Sequence, residues 1–282
     1  MRVECTVLYI GSEFGVLGRV STEEAALAVK CWASALGDCS NIQSREHYIS
    51  KGMWPGDSIT MEGIWDEPRT VGIDSLTVRS LCRTHNTALG PLDESAKLAF
   101  AKIGEAFDKC NYRSRNRRHK FKVIETRLDG LALERWALKF FIGSVTAWQR
   151  DLEWYPDMTP PLEPPLTAVR ATFGLESLTY PAGLYCTAQV GDQFAQREGV
   201  GIEIRSDGGA IIGARFHFRG IEFIIWLGSD EILRVGSDFV MRGTAKAEPN
   251  MMYHLKEFKI RAHSILSNVI HFDWPLHISE AI

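Results

Sequence analysis

No apolar run among the 282 residues approaches the roughly 20 that a membrane-spanning helix needs. Met1-Arg2-Val3-Glu4-Cys5 carries an acid where a secretory signal would carry only positive charge before an apolar stretch, so the expected location is cytoplasmic, away from any membrane. Six cysteines are few for this length and do not read as a disulfide framework, which leaves them as free thiols or metal ligands. There is no glycine-rich phosphate loop, no Gly-x-Ser-x-Gly elbow and no dinucleotide fingerprint. A net charge of only -3 argues against indiscriminate binding to nucleic acid, although a local basic face can still bind it while the rest of the surface is acidic.

What is present is concentrated in one hexapeptide, Leu81-Cys82-Arg83-Thr84-His85-Asn86, and in the dipeptide Glu46-His47 upstream of it. Cys82 and His85 are three apart, a spacing at which one tight turn can put two ligands on a single Zn²⁺. Asn86 follows with an oxygen suited to a hard cation. A tetrahedral zinc needs two more ligands, and Cys39 and Cys31 lie shortly before Glu46-His47.

Taken in order, Cys31, Cys39, Glu46-His47 and Cys82-x-x-His85-Asn86 resemble the HNH, or ββα-metal, endonucleases, in particular the zinc-stapled branch that includes phage endonuclease VII. The resemblance covers roughly residues 31 to 90. It implies an α+β fold in which a small zinc-bound ββα-metal module carries flanking helices. It also implies a metal-dependent endonuclease that hydrolyses nucleic-acid phosphodiesters, DNA being the expected substrate. Carried over, Cys31, Cys39, Cys82 and His85 hold a structural zinc, His47 is the general base, and Glu46 and Asn86 hold a catalytic Mg²⁺ or Mn²⁺. For the residue that orients His47, the stretch Gly72 to Val78 offers Asp74, Ser75 or Thr77. The alternative is a catalytically inactive zinc module that binds nucleic acid or a protein partner.

Around this module the chain reads as a series of elements. Residues 2 to 20 suggest short strands, and Ser21-Thr22-Glu23-Glu24 starts a helix that runs toward Cys31. Tyr48 to Lys51 continues a strand out of Glu46-His47, and Met53 to Pro68, with Trp54 and Trp65, reads as a loop. Gly90-Pro91 breaks the helix that follows Asn86, because proline lacks a donor and disfavours helical angles in its predecessor. Leu92, Ala96, Ala99, Phe100, Ile103 and Phe107 then mark an amphipathic helix.

Arg113, Arg115, Arg117, Arg118, Lys120 and Lys122 crowd one short stretch with Tyr112 and Phe121 between them, a candidate phosphate-binding track. Leu131 to Trp148 is a buried helix, and the proline-rich Tyr155 to Pro165 marks a boundary. Beyond it, Thr167 to Phe173, Gly183 to Val190, Val200 to Arg205, Ala210 to Phe218, Ile221 to Leu227, Leu255 to Ala262 and Asn268 to Trp274 read as strands. The expected organisation is residues 1–125 as the zinc module with its basic segment, 126–155 as a connecting helix, and 156–282 as a mainly antiparallel β-rich domain. That last unit would serve specificity, sensing, contact with a protein partner or homo-oligomerisation.

Overall fold

The computed structural model describes residues 4–6, 31–53, 56–62, 69–116, 121–150, 164–187, 200–207, 210–218, 221–228, 251–262 and 265–275. Over these residues the fold is mixed α+β, with three α-helices and several antiparallel strand pairings. The helix expected from Ser21, the strands expected in residues 7–20, Trp54, Trp65 and most of the proline-rich boundary lie outside them.

Strand β1 (Glu4–Thr6) precedes β2 (Gln43–His47), β3 (Ser58–Glu62), β4 (Arg69–Gly72) and β5 (Thr77–Cys82). β3 pairs with β1 and β4, so a strand lies inside the stretch from Met53 to Pro68 that reads as a loop in the sequence. Among the described residues β2 pairs with β5 alone, antiparallel, with Gln43 opposite Cys82 and His47 opposite Thr77. β2 ends at His47, where a bend and a 3-10 turn replace the strand expected over Tyr48 to Lys51.

Helix α1 (Arg83–Arg115) follows β5 without a loop. It runs through Gly90-Pro91, correcting the expected break. Pro91 and the residue four before it, Thr87, are both exposed, so water can satisfy the carbonyl that loses its helical donor. Leu89, Ala96, Ala99, Phe100, Ile103 and Phe107 fall on the buried face at three-and-four spacing.

β6 (Ile124–Asp129) leads into α2 (Gly130–Arg150), whose first turn is capped by Asp129 accepting the Ala132 N–H at 2.9 Å. α3 (Leu166–Thr172) is a second correction, since a strand was expected there. Its seven residues are too few for periodicity to separate the two states, and Ala168, Val169, Ala171 and Thr172 bury on one side of a helical turn.

The remaining strands are β7 (Gly183–Thr187), β8 (Val200–Asp207), β9 (Ala210–Phe218), β10 (Ile221–Trp226), β11 (Met251–Tyr253), β12 (Glu257–Ala262) and β13 (Ile265–Asp273). Five form an antiparallel sheet in the order β11-β7-β10-β9-β8. β13 pairs antiparallel with β12 and parallel with β6, so a strand from before α2 completes a sheet with strands from near the end of the chain.

α2 is buried on nearly every side and joins these layers. Trp136 stacks on Phe140 at 5.3 Å, meets Phe100 of α1 edge-on at 4.9 Å, and reaches Phe216 of β9 at 6.0 Å. Pairs of this kind contribute about 0.5–1.5 kcal/mol each beyond the area they bury. The helix that carries Trp136 is thereby fixed against both α1 and the five-stranded sheet. Two of its charged residues, Glu134 and Lys139, end up deep in the protein.

Candidate metal centre and the residues beside it

Cys31, Cys39, Cys82 and His85 come together, with their four ligand atoms all within 4.8 Å of one another. Cys82 is the N-cap of α1, and its sulfur accepts the His85 backbone N–H at 3.5 Å, which places the two ligands on one turn. The other two are joined across seven residues by a 3-10 turn at Ser34–Leu36 and by Gly37 and Asp38, both with left-handed φ (83° and 53°). That reversal returns Cys39 to Cys31. Two backbone bonds fasten the loop to the strand and helix, Trp32 N–H to Ser80 O at 3.0 Å and Arg83 N–H to Ile42 O at 2.8 Å.

The donor set fits zinc. Zn–S near 2.3 Å and Zn–N near 2.0 Å at tetrahedral angles require ligand-to-ligand edges of roughly 3.5–3.8 Å. His85 Nδ1 lies 3.3 Å from Cys31 Sγ, 3.6 Å from Cys39 Sγ and 3.3 Å from Cys82 Sγ. Burial pushes the Cys31 thiol up to about 12 and raises that of Cys39. Burial also acts to raise Cys82, but hydrogen bonds from His85 N–H and from Ser40 outweigh it and bring that thiol down to about 6. Cys82 is therefore the thiol most easily deprotonated, and the others would release their protons on binding a metal. Phe173, just past α3, covers the cluster with its ring edge-on to His85 at 5.3 Å.

Glu46 and His47 are neighbours on β2 and face opposite ways. Glu46 points inward, 4% exposed, with Oε1 2.9 Å from Lys139 Nζ of α2. Lys139 also lies 2.6 Å from Asp93 Oδ2 of α1. Burial raises the Glu46 carboxyl above its ordinary value against the pull of Lys139, and Oε2 is buried with no hydrogen-bond partner among the described residues. His47 points toward Asp74, whose Oδ1 lies 3.7 Å from Nε2 and 2.6 Å from Lys51 Nζ. Burial, with Lys51 and Lys139 adding to it and Asp74 and Asp93 opposing, holds His47 below its ordinary value, so it is neutral at pH 7. Asn86, one residue past His85, donates its amide to Ser44 Oγ at 2.7 Å.

The oxygen set assigned to a divalent cation by resemblance does not fit one in this arrangement. One Glu46 oxygen sits on an ammonium and the other is sealed from solvent, which leaves Asn86 Oδ1 without the carboxylate that was to share the ion. Hard cations such as Mg²⁺ keep several waters, and a sealed carboxylate leaves no room for them.

Of the basic segment, Arg113 is used internally, donating to Ser267 O at 2.6 Å and Oγ at 3.1 Å with its guanidinium 4.8 Å from the Phe121 ring centre. Arg115 and Lys122 are exposed, and Arg117, Arg118 and Lys120 lie outside the described residues. Sequence reasoning missed Lys139 and the buried pair Glu134–His254, joined at 2.8 Å. A signal existed for both, since Glu134 and Lys139 interrupt an otherwise apolar helix and buried charges need partners. Among the described residues no helix is long and apolar enough to cross a membrane. No protein-family model matches the chain, and comparison with characterised proteins and with solved structures returns no match, so the function has to be argued from the site itself.

Proposed function

We propose that the chain is a zinc-clasped HNH-type endonuclease module acting on nucleic-acid phosphodiesters. The observation that carries this reading is the convergence of Cys31, Cys39, Cys82 and His85, four candidate ligands from two stretches that bracket the Glu46-His47 strand and lead directly into Asn86. β2, β5 and the start of α1 supply the two strands and one helix that such a module requires. His47 is the group suited to take a proton from water, because it is neutral near pH 7 and its side chain is 30% exposed. Its Nε2 faces Asp74 at 3.7 Å, which suits that carboxylate to orient the ring and leaves Nδ1 as the nitrogen to accept the proton.

Plasmid nicking in Mg²⁺ or Mn²⁺ by zinc-loaded protein, wild type against His47→Ala, tests the proposal. Loss of a general base is expected to slow cleavage by about 10²–10⁴-fold while zinc content stays unchanged. Equal rates at matched purity would remove His47 from the mechanism.

The second reading, a module that binds nucleic acid or a protein partner without cutting, is favoured by one observation: Lys139 holds the carboxylate that hydrolysis would assign to a divalent ion. It predicts stoichiometric zinc, salt-sensitive binding to nucleic acid and no cleavage with either metal.

A further inference from the structure

We propose that Lys139 is the resident cation of a carboxylate pair formed by Glu46 and Asp93, a side chain standing where a divalent ion would otherwise bridge two acids, so that this chain takes no divalent ion through Glu46. The ammonium lies 2.9 Å from Glu46 Oε1 and 2.6 Å from Asp93 Oδ2, bridging β2 and α1 from its place on α2. Oxygens from two carboxylates around one positive centre are what a hard cation recruits. Here an ammonium holds the centre.

The arrangement is built into the core. Lys139 and Glu46 are each 4% exposed, so the pair is not a chance surface contact. Asp93 uses its other oxygen to accept the Ser50 hydroxyl at 2.6 Å, and Ser50 Oγ accepts the Trp136 indole N–H at 2.9 Å. Trp136 and Lys139 are three residues apart on α2 and share a face, so the docking of the tryptophan between α1 and the five-stranded sheet also sets the ammonium between the acids. Asp93 is the only one of the three that reaches solvent, at 37% exposure. A cation approaching from that side meets the ammonium before it meets Glu46.

The consequence for chemistry rests on the reading of β2, β5 and α1 as an HNH-type module, in which Glu46 would hold the metal. With Lys139 in place, Glu46 instead anchors the strand that carries His47 and keeps its own charge balanced without an ion from solution.

The test is Mn²⁺ binding to the full-length, zinc-loaded chain, followed by electron paramagnetic resonance and calorimetry. Wild type and Glu46→Gln are expected to bind Mn²⁺ alike, with no site that depends on Glu46. Lys139→Met removes the ammonium at similar length and is expected to gain one Mn²⁺ per chain, a gain that adding Glu46→Gln abolishes. A Mn²⁺ site in wild type that Glu46→Gln removes overturns the proposal, as does a folded, zinc-loaded Lys139→Met chain that gains none. Should Lys139→Met fail to fold, the comparison of wild type with Glu46→Gln decides alone. Cleavage is scored separately: a chain that binds Mn²⁺ through Glu46 and nicks nothing loses the nuclease reading as well, whereas His47-dependent nicking without a Glu46-dependent Mn²⁺ site supports both.

Discussion

Two largely buried polar clusters, the first with Cys39 exposed, fasten the same strand pair to the rest of the chain, and they differ in where the holding charge comes from. At one end of β5, three sulfurs and an imidazole gather in a donor set that could hold a metal ion such as zinc. A few residues away, Glu46 and Asp93 gather around a lysine of the chain itself. As a metal centre, the first cluster would depend on metal supply and on the protonation of its thiols. The second depends on α2 being docked. A module that must hold strand, loop and helix in one geometry is thus pinned once from outside and once from within.

Withdrawing the external ion is the harshest way to break this comparison. Structural zinc contributes apparent free energies of about 10–16 kcal/mol in small zinc-dependent folds. Treatment with a tight chelator, or Cys82→Ser, is expected to expose the amides of residues 31–53 and 77–92 to rapid hydrogen exchange before those of the β7–β10 sheet. Unchanged exchange after complete zinc removal would show that the four ligands are held by packing alone.

Withdrawing the internal cation is the next largest break. Lys139→Met leaves two buried or half-buried carboxylates without their partner, and breaking such a pair costs about 3–5 kcal/mol. Adding Glu46→Gln removes the fully buried charge and is expected to recover part of that loss in urea unfolding. A double variant no more stable than Lys139→Met would mean that the lysine matters for its packing and not for its charge.

The two clusters were not equally legible in the sequence. Cys82-x-x-His85 is a local signal, because one helix start fixes both ligands, and Cys31 and Cys39 stood out by their order before Glu46-His47. The Glu46–Lys139 pair spans two elements far apart in the chain, and no local spacing encodes it. Only the oddity of a charge inside Ala137 to Val145 pointed to a buried partner. The fold divides along similar lines. The apolar run of α2 and the alternating strands β8, β9 and β10 follow from periodicity. The passage of α1 through Pro91 and the helical state of α3 depend on exposure and on docking, which a sequence does not display.

A smaller break acts through the cover of the Cys/His cluster. Phe173 is half-buried and sits edge-on to His85 and tilted to Trp32 at 5.7 Å. Phe173→Ala is expected to cost about 1–3 kcal/mol, less than for a fully buried aromatic. It should also speed zinc transfer to a chromogenic chelator, and an unchanged transfer rate would separate α3 from the integrity of the metal centre.

The finest comparison is between neighbours on β2, because burial shifts Glu46 and His47 in opposite directions and so gives them opposite pH signatures. The Glu46 carboxyl is raised above its ordinary 4.5, so its burial cost is relieved as pH falls from the raised midpoint toward 4.5, and stability gains there. His47 is lowered from its ordinary 6.5, so the stability tied to its neutral form is fully present above 6.5 and is lost as pH falls from 6.5 through the folded midpoint. The imidazole resonance of His47 in the full chain should therefore titrate below 6.5. Asp74 opposes that shift, so Asp74→Asn should move the midpoint lower still, while Lys139 adds to it, so Lys139→Met should move the midpoint up. Midpoints that move together in the two variants would mean that His47 senses only its burial; midpoints that separate would show that the internal cation acts across the strand on the candidate base.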